Sequence, residues 1–222
     1  MKKRQLLLVV AAGLLAGSAW SQTSASSSSA AVAAVASADS SSPSGPGALA
    51  PGDVAQALRR GGYVVYFRHT ATDFSKNDAA STSYGDCANQ RLLSAAGQKT
   101  AADIGQQVRA LKLPVTEVLA SPMCRTMDTA QRMLGRATPQ TDMREGEAGG
   151  IGGGGDYPGL KRLLAAPVPA GANRWMIGHG SPFRAIAGAP HLSEGEAAVI
   201  RPEGTRWTVV ARLQPADWAA LK

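Results

Sequence analysis

The stretch Tyr63-Val64-Val65-Tyr66-Phe67-Arg68-His69-Thr70 constrains the fold more than any other part of this chain. Five strand-favouring residues there run directly into an arginine and a histidine. β-branched and aromatic residues at this density, following Gly61-Gly62, predict a buried strand. Such a strand delivers its polar pair to its carboxyl end, the edge of an open α/β sheet where ligands bind. Of the three histidines in the chain, a second, His179, closes a near copy of this stretch, Trp175-Met176-Ile177-Gly178-His179-Gly180. Two strands are therefore expected to hand one imidazole each to a single sheet edge.

Between them, Val118-Leu119-Ala120 reads as a third strand end, followed by Ser121-Pro122-Met123-Cys124-Arg125-Thr126. Ser121 suits an N-cap and Pro122 the first helical position, which puts Arg125 in the first turn of a helix turning Met123, Met127, Ala130 and Leu134 inward. An amide-rich helix end beside a guanidinium suits an anion, above all a phosphate. Helices and strands alternate around these stretches, which argues for a parallel α/β sheet. A short helix spans Asp53 to Arg60, with Val54, Ala57 and Leu58 on one face. A longer one runs from the cap Ser94 to Leu111 with Ala101, Ile104, Val108 and Leu111 inward, and Pro114 stops it. Thr72 to Arg91, between them, is an unpatterned polar stretch expected to loop over the site.

Thr138 to Thr141 reads as a short strand, Tyr157 to Leu164 as a short helix, and Ser181-Pro182 as the opening of a helix over Phe183 to Ala187. His191 falls in the turn Gly188 to Leu192 and is expected to be a surface or structural residue. Glu196 to Ile200 and Trp207 to Leu213 flank the turn Pro202-Glu203-Gly204 and predict a hairpin. Pro215 to Leu221 should form a closing helix with Trp218 and Leu221 inward.

The first fifty residues obey other rules. Met1-Lys2-Lys3-Arg4, the apolar run Leu6 to Leu15 and the small residues around Ala19-Trp20-Ser21 are the pattern of a secretory leader over 1–21. The apolar run is too short to span a bilayer, so no membrane span is expected after cleavage. Residues 22–51, almost wholly Ser, Ala, Pro and Gly, cannot offset their ordering entropy and read as a linker. One domain over 52–222 remains. Loss of Lys2, Lys3 and Arg4 with the leader lowers the formal net charge from +7 to +4. With no cluster of basic residues, that balance suits a small anionic substrate and excludes a nucleic-acid polymer.

The order of these pieces, with Arg68-His69, the Ser121, Arg125, Thr129-Ala130 arrangement and His179, resembles the histidine phosphatase superfamily over most of Asp53 to Leu221. The resemblance implies a phosphoglycerate-mutase-like, three-layer α/β fold with a mostly parallel central sheet flanked by helices. The predicted hairpin adds a C-terminal strand pair. Met143-Arg144-Glu145 resembles the stretch that carries the family's proton donor, so Glu145 takes that role by carry-over, with Glu147 as the alternative. The resemblance also brings the polar stretch from Thr72 to the substrate pocket. Thr70 departs from the family's motif, which has glycine there, and is expected to narrow the pocket or tilt its loop.

The chemistry expected is phosphoryl transfer to an imidazole. His69 would attack phosphorus and hold the group covalently, splitting a hard displacement into two easier steps. Arg68, Arg125 and, if protonated, His179 would surround the transferring group. Glu145 would protonate the leaving alcohol and then deprotonate water. Thr72 and Gly180, the latter by allowing close backbone approach, would line the substrate. No metal or cofactor is needed; three histidines without Cys-x-x-Cys or His-x-x-x-His spacing make a poor metal set. The expected activity is hydrolysis of a small phosphomonoester outside the cytoplasm. A catalytically weak phospho-ligand binder and a phosphomutase stand as alternatives. In an oxidising compartment an even pair of cysteines is normally bridged, so Cys87 and Cys124, the only two, are expected to form a disulfide beside Arg125.

Overall fold

The computed structural model describes residues 47–145 and 155–222. The expected leader, all but the last residues of the expected linker, and Glu147 lie outside them. Six strands form one sheet: β1 (Tyr63–Arg68), β2 (Glu117–Ala120), β3 (Thr138–Pro139), β4 (Asn173–Gly178), β5 (Ala197–Pro202) and β6 (Trp207–Leu213), in the order β3-β2-β4-β1-β5-β6. β3, β2, β4 and β1 are mutually parallel. β5 is antiparallel to β1, and β6 to β5, giving the expected C-terminal pair. The fold is a three-layer α/β sandwich of a mostly parallel sheet between helices.

The alternation of side chains along a strand separates the two cores. Val65 and Phe67 of β1 face one way with Trp175 and Ile177 of β4. They meet α1 (Val54–Arg60), α2 (Ala95–Ala110) and α3 (Cys124–Leu134) through Leu58, Ile104, Val108 and Met133. Val64 and Tyr66 face the other way with Met176, against Leu160 and Leu164 of α4 (Pro158–Ala165) and Phe183 of α5 (Gly180–Ala187). Every one of these side chains is at most 2% exposed. β1 and β4 are covered on both faces, which is why they read as continuous apolar runs.

Ser94 caps α2 as expected, its hydroxyl accepting the Gly97 N–H at 3.1 Å. Elsewhere the local reading is corrected. Helix α3 starts at Cys124, with Met123 at the capping position, so Ser121 is not the cap; its hydroxyl has been claimed by His179. Met133 takes the fully buried place on α3, while Met127 and Leu134 pack only partly and Met123 is half-buried. The strand after α3 is two residues long and gives way to a 3-10 turn at Thr141–Met143. Pro215–Ala220 closes the fold as a 3-10 helix with a Gln214/Asp217 capping box. Its Trp218 stacks on Phe67 at 5.5 Å and tilts against Trp175 at 6.0 Å. Aromatic pairs of this kind add about 1 kcal/mol each beyond area burial. Among the described residues no helix is long and apolar enough to cross a membrane.

Candidate active site

The carboxyl ends of β1, β4 and β2 lie side by side, because the parallel register pairs Arg68 with Gly178 and Ala120 with Ile177. Past the ladders, the His69 amide donates to the Gly178 carbonyl at 3.0 Å and the Ser121 amide to the Ile177 carbonyl at 2.9 Å. Three strand ends are thereby locked at one level, and each contributes a side chain. The rings of His69 and His179 meet edge to face, their centroids 5.6 Å apart.

Each imidazole is oriented by a different part of the fold. His69 Nδ1 lies 2.9 Å from its neighbour's carbonyl, Thr70 O, which makes it the protonated nitrogen and leaves the lone pair on Nε2. Burial pushes His69 well below the ordinary histidine range, and the neighbouring His179, Arg125 and Arg68 push the same way. His179 is held through its backbone: the Tyr66 hydroxyl donates to its carbonyl at 2.9 Å and accepts its amide at 3.0 Å. That reach requires Gly178, since a Cβ there would strike the Tyr66 hydroxyl. Burial keeps the Tyr66 phenol protonated by raising its pKa. His179 Nε2 shares a hydrogen bond of 2.8 Å with Ser121 Oγ. Burial, and then Arg125, Arg68 and Arg91, hold His179 well below its usual value too. Desolvation and the nearby cations therefore both favour the neutral ring of His179.

Arg125, 2% exposed, is gripped by two carboxylates, Asp78 at 3.0 Å through Nη1 and Glu145 at 3.2 Å through Nη2. The same Glu145 oxygen, Oε2, lies 3.5 Å from His179 Nδ1. Arg68 donates to the Leu192 carbonyl at 2.9 Å and approaches Glu194 at 3.7 Å. Glu194 Oε1 also accepts the Thr72 hydroxyl at 2.8 Å and sits 3.9 Å from His69 Nδ1. Arg68, His69, Arg125, Glu145 and His179 are thus brought into one cluster. Thr72 reaches that cluster through Glu194.

Gly180 is placed differently from expectation. The space over its Cα is filled by the His191 ring, which a Cβ would strike. His191 is therefore a half-buried part of the cluster's wall, with Nδ1 2.7 Å from the Leu192 carbonyl and 3.4 Å from Arg68 Nη1. Thr70 is also tamer than its place in the motif suggests. Its side chain is wholly buried, with the hydroxyl 3.3 Å from Thr129 Oγ1 on α3.

Two further acids of the cluster, Asp78 and Glu194, carry no local sequence signal that singles them out. Asp78 lies in the polar loop, which the structure ties down at several points. Asp78 Oδ1 accepts the Arg91 amide at 2.8 Å, and the buried Gln90 accepts the Cys124 amide at 2.9 Å while donating to the Ser83 and Tyr84 carbonyls. The expected disulfide joins Cys87 to Cys124 with Cα atoms 5.7 Å apart, fixing the loop to the residue before Arg125. A carboxylate from this loop is the signal that could have been sought, because Arg125 buried in a core demands one. Among the described residues no group of three or more His, Cys, Asp or Glu is placed to hold a metal ion.

No protein-family model matches the chain, and no curated protein does. Solved structures do. The protein histidine phosphatase SixA complexed with tungstate is 18% identical, at a TM-score of 0.48 over 70% of this chain and 98% of its own. The putative phosphohistidine phosphatase SixA from Agrobacterium tumefaciens is 16% identical, with a TM-score of 0.48 over 69% of this chain and 99% of that one. Phosphoserine phosphatase from Entamoeba histolytica, in complex with 3-phosphoglyceric acid, is 14% identical, again at 0.48, over 70% and 98%.

Proposed function

We propose that this chain is a phosphomonoesterase of the histidine phosphatase superfamily, working through a phosphohistidine on His69. The observation that carries the reading is the state of the two imidazoles. His69 offers a neutral ring whose Nδ1 is committed to the Thr70 carbonyl, so the nucleophilic lone pair is on Nε2. Beside it stand the cations that phosphoryl transfer needs. Two buried nitrogens of this cluster, Arg125 Nε and His179 Nδ1, have no hydrogen-bond partner among the described residues. Buried unpaired donors are costly, and incoming phosphoryl oxygens supply acceptors.

In the first step His69 Nε2 forms the bond to phosphorus as the bond to the leaving alcohol breaks, and Glu145 gives that alcohol its proton. In the second, water attacks phosphorus, the nitrogen–phosphorus bond breaks, and Glu145 takes the water's proton. Arg68, Arg125 and His179 hold the equatorial oxygens; a dianion between them raises the affinity of His179 for a proton. Thr72 contributes by orienting Glu194. Glu145 contacts Arg125 and His179 rather than facing solvent, which favours turnover over a binding-only role. The partner is a small phosphorylated molecule, with no nucleic acid, metal or cofactor. Residues 1–21 act as leader and 22–51 as linker to the domain at 52–222, and the Cys87–Cys124 disulfide suits an exported, periplasmic or secreted enzyme.

The test is hydrolysis of a panel of phosphomonoesters combined with rapid trapping of labelled phosphate under acid-free denaturation. Label on His69, absent from His69→Ala, is the expected result. Hydrolysis with no trapped label, or label retained in His69→Ala, would remove His69 as nucleophile. No hydrolysis of any ester would leave the binding role in its place.

A further inference from the structure

The cations of the site are not equally provided for. Arg125 has Asp78 and Glu145, and Arg68 has Glu194. Arg91 has no acid partner among the described residues; its guanidinium lies 4.4 Å from the ring centre of Phe74 instead. Phe74 is 68% exposed, the most exposed large apolar side chain among the described residues. An aromatic ring left in water at such cost, carrying a half-buried arginine on its face, is an unusual feature for a loop.

The backbone places this pair at the rim of the cluster. Thr72 and Leu93 form an antiparallel bridge, and the Asp73 amide donates to the Leu92 carbonyl at 2.9 Å. Phe74 and Arg91 continue outward from this short ladder and face each other across it. At its inner end Thr72 holds Glu194, and through it Arg68. At its outer end the Arg91 amide is bonded to Asp78, whose other oxygen holds Arg125. Arg91 is therefore one residue, Asp78, away from Arg125, and its charge is felt at Arg68 and at His179.

We infer that Arg91, backed by Phe74, is the subsite for a second anionic group on the substrate, a carboxylate or another phosphate borne by the alcohol half. This deepens the phosphomonoesterase reading and rests on it. Phe74 covers one face of the guanidinium and fixes its plane, which leaves the N–H edge free for a two-point contact with an oxyanion. A substrate whose leaving group is neutral gains nothing there. The preferred substrates are thus small molecules with a phosphate ester at one end and an anion at the other.

The experiment uses the mature protein and matched aliphatic phosphomonoesters over a series of spacer lengths, one member of each pair ending in a carboxylate and the other in the amide. At low ionic strength the carboxylate member is expected to have the higher kcat/KM by about tenfold at the best spacer length, the low end for a charge-assisted hydrogen bond at a half-exposed site. Arg91→Gln should bring that ratio to about one and Phe74→Ala should reduce it, whereas Arg91→Lys should keep part of it. The Arg91 backbone bond to Asp78 survives all three substitutions. The same pairs built as non-hydrolysable phosphonates and titrated by calorimetry give the preference as an affinity ratio, independent of turnover. A carboxylate preference in binding without hydrolysis would keep the subsite and sink the enzyme. A ratio of one at every spacer length, or one that Arg91→Gln leaves untouched, would overturn the subsite while leaving phosphatase activity standing.

Discussion

Mild acid should destabilise this protein through His69 and His179 specifically. Burial, reinforced by neighbouring cations, keeps both imidazoles neutral in the fold at pH values where a free histidine binds a proton. In the unfolded chain each titrates near 6.5. Between that value and the depressed native one, the unfolded state holds more protons, so stability falls as pH falls through the window and levels off once the native rings protonate too. Each histidine costs on the order of 1 kcal/mol for every pH unit by which the pH falls below its unfolded value while the native ring stays neutral, and the pair roughly twice that. Against a typical stability of about 5–15 kcal/mol that is a large loss.

Urea unfolding followed by tryptophan fluorescence across this pH range measures it. Trp175 and Trp218, both buried beside β1, report the global transition. The wild-type midpoint should drop steeply; His69→Asn and His179→Asn should each remove about half of the pH dependence, and the double variant nearly all of it. An undiminished acid loss in the double variant would refute the argument, because the missing protons would then belong to other groups.

Other outcomes follow from single contacts. Tyr66→Phe removes both hydrogen bonds to the His179 backbone, and should cost about 2 kcal/mol in urea unfolding while lowering kcat by about tenfold through misplacement of the ring; unchanged kcat would confine Tyr66 to the fold. Glu145→Gln should slow esters with poor alcohol leaving groups far more than activated aryl esters, and equal losses on the two would leave Glu145 a binding role only. Reduction of Cys87–Cys124, separated by 37 positions, should cost up to about 4 kcal/mol. It should also raise KM, since the bond ties the Asp78 loop to α3; an unaltered KM would show that Gln90 and Asp78 hold the loop unaided.

The parts of the site that are legible in the sequence are those fixed by local pattern. A strand period that ends in a polar residue says where that residue goes, so the residues alone place Arg68, His69 and His179 on one sheet edge. Arg125 follows from its distance past a strand end. Ser121 is misassigned by pattern because Ser-Pro is a strong local capping signal, and local signals yield when a tertiary partner offers more. His179, a buried ring with a nitrogen to satisfy, offers more. Asp78 and Glu194 sit in unpatterned polar stretches where nothing distinguishes a carboxylate that meets a buried guanidinium from one that meets water. Gly180 is legible as a place of close approach, but not what approaches, since His191 arrives from a turn about a dozen residues on.

Three carboxylates, two of them invisible in the sequence, are what let the arginines of the cluster be buried. Arg125 is almost fully buried, and an unpaired guanidinium there would cost several kcal/mol. Asp78 and Glu145 neutralise it, and Glu194 does the same for Arg68. The two histidines add no charge, because burial keeps them neutral. A phosphoryl dianion entering this cluster must compete with carboxylates already in place. Glu145 is the one suited to give way. It is the more exposed of the two acids on Arg125, 24% against 11%, and its Oε2 is shared between Arg125 and His179, the two groups of the cluster with an unpartnered buried nitrogen among the described residues. Asp78 is bound on both oxygens, to Arg125 and to the Arg91 amide, and is built to stay. Displacement of Glu145 by the substrate would move a carboxylate from the arginine toward the leaving-group side, so the residue that neutralises Arg125 becomes free to carry a proton. Asp78→Asn should therefore weaken α3 and the loop with or without added phosphate, whereas Glu145→Gln should leave phosphate affinity equal or higher, because a competitor for Arg125 has been removed. Titration of inorganic phosphate into the two variants distinguishes them: weaker phosphate binding in Glu145→Gln than in wild type would mean that Glu145 supports the anion and does not compete with it.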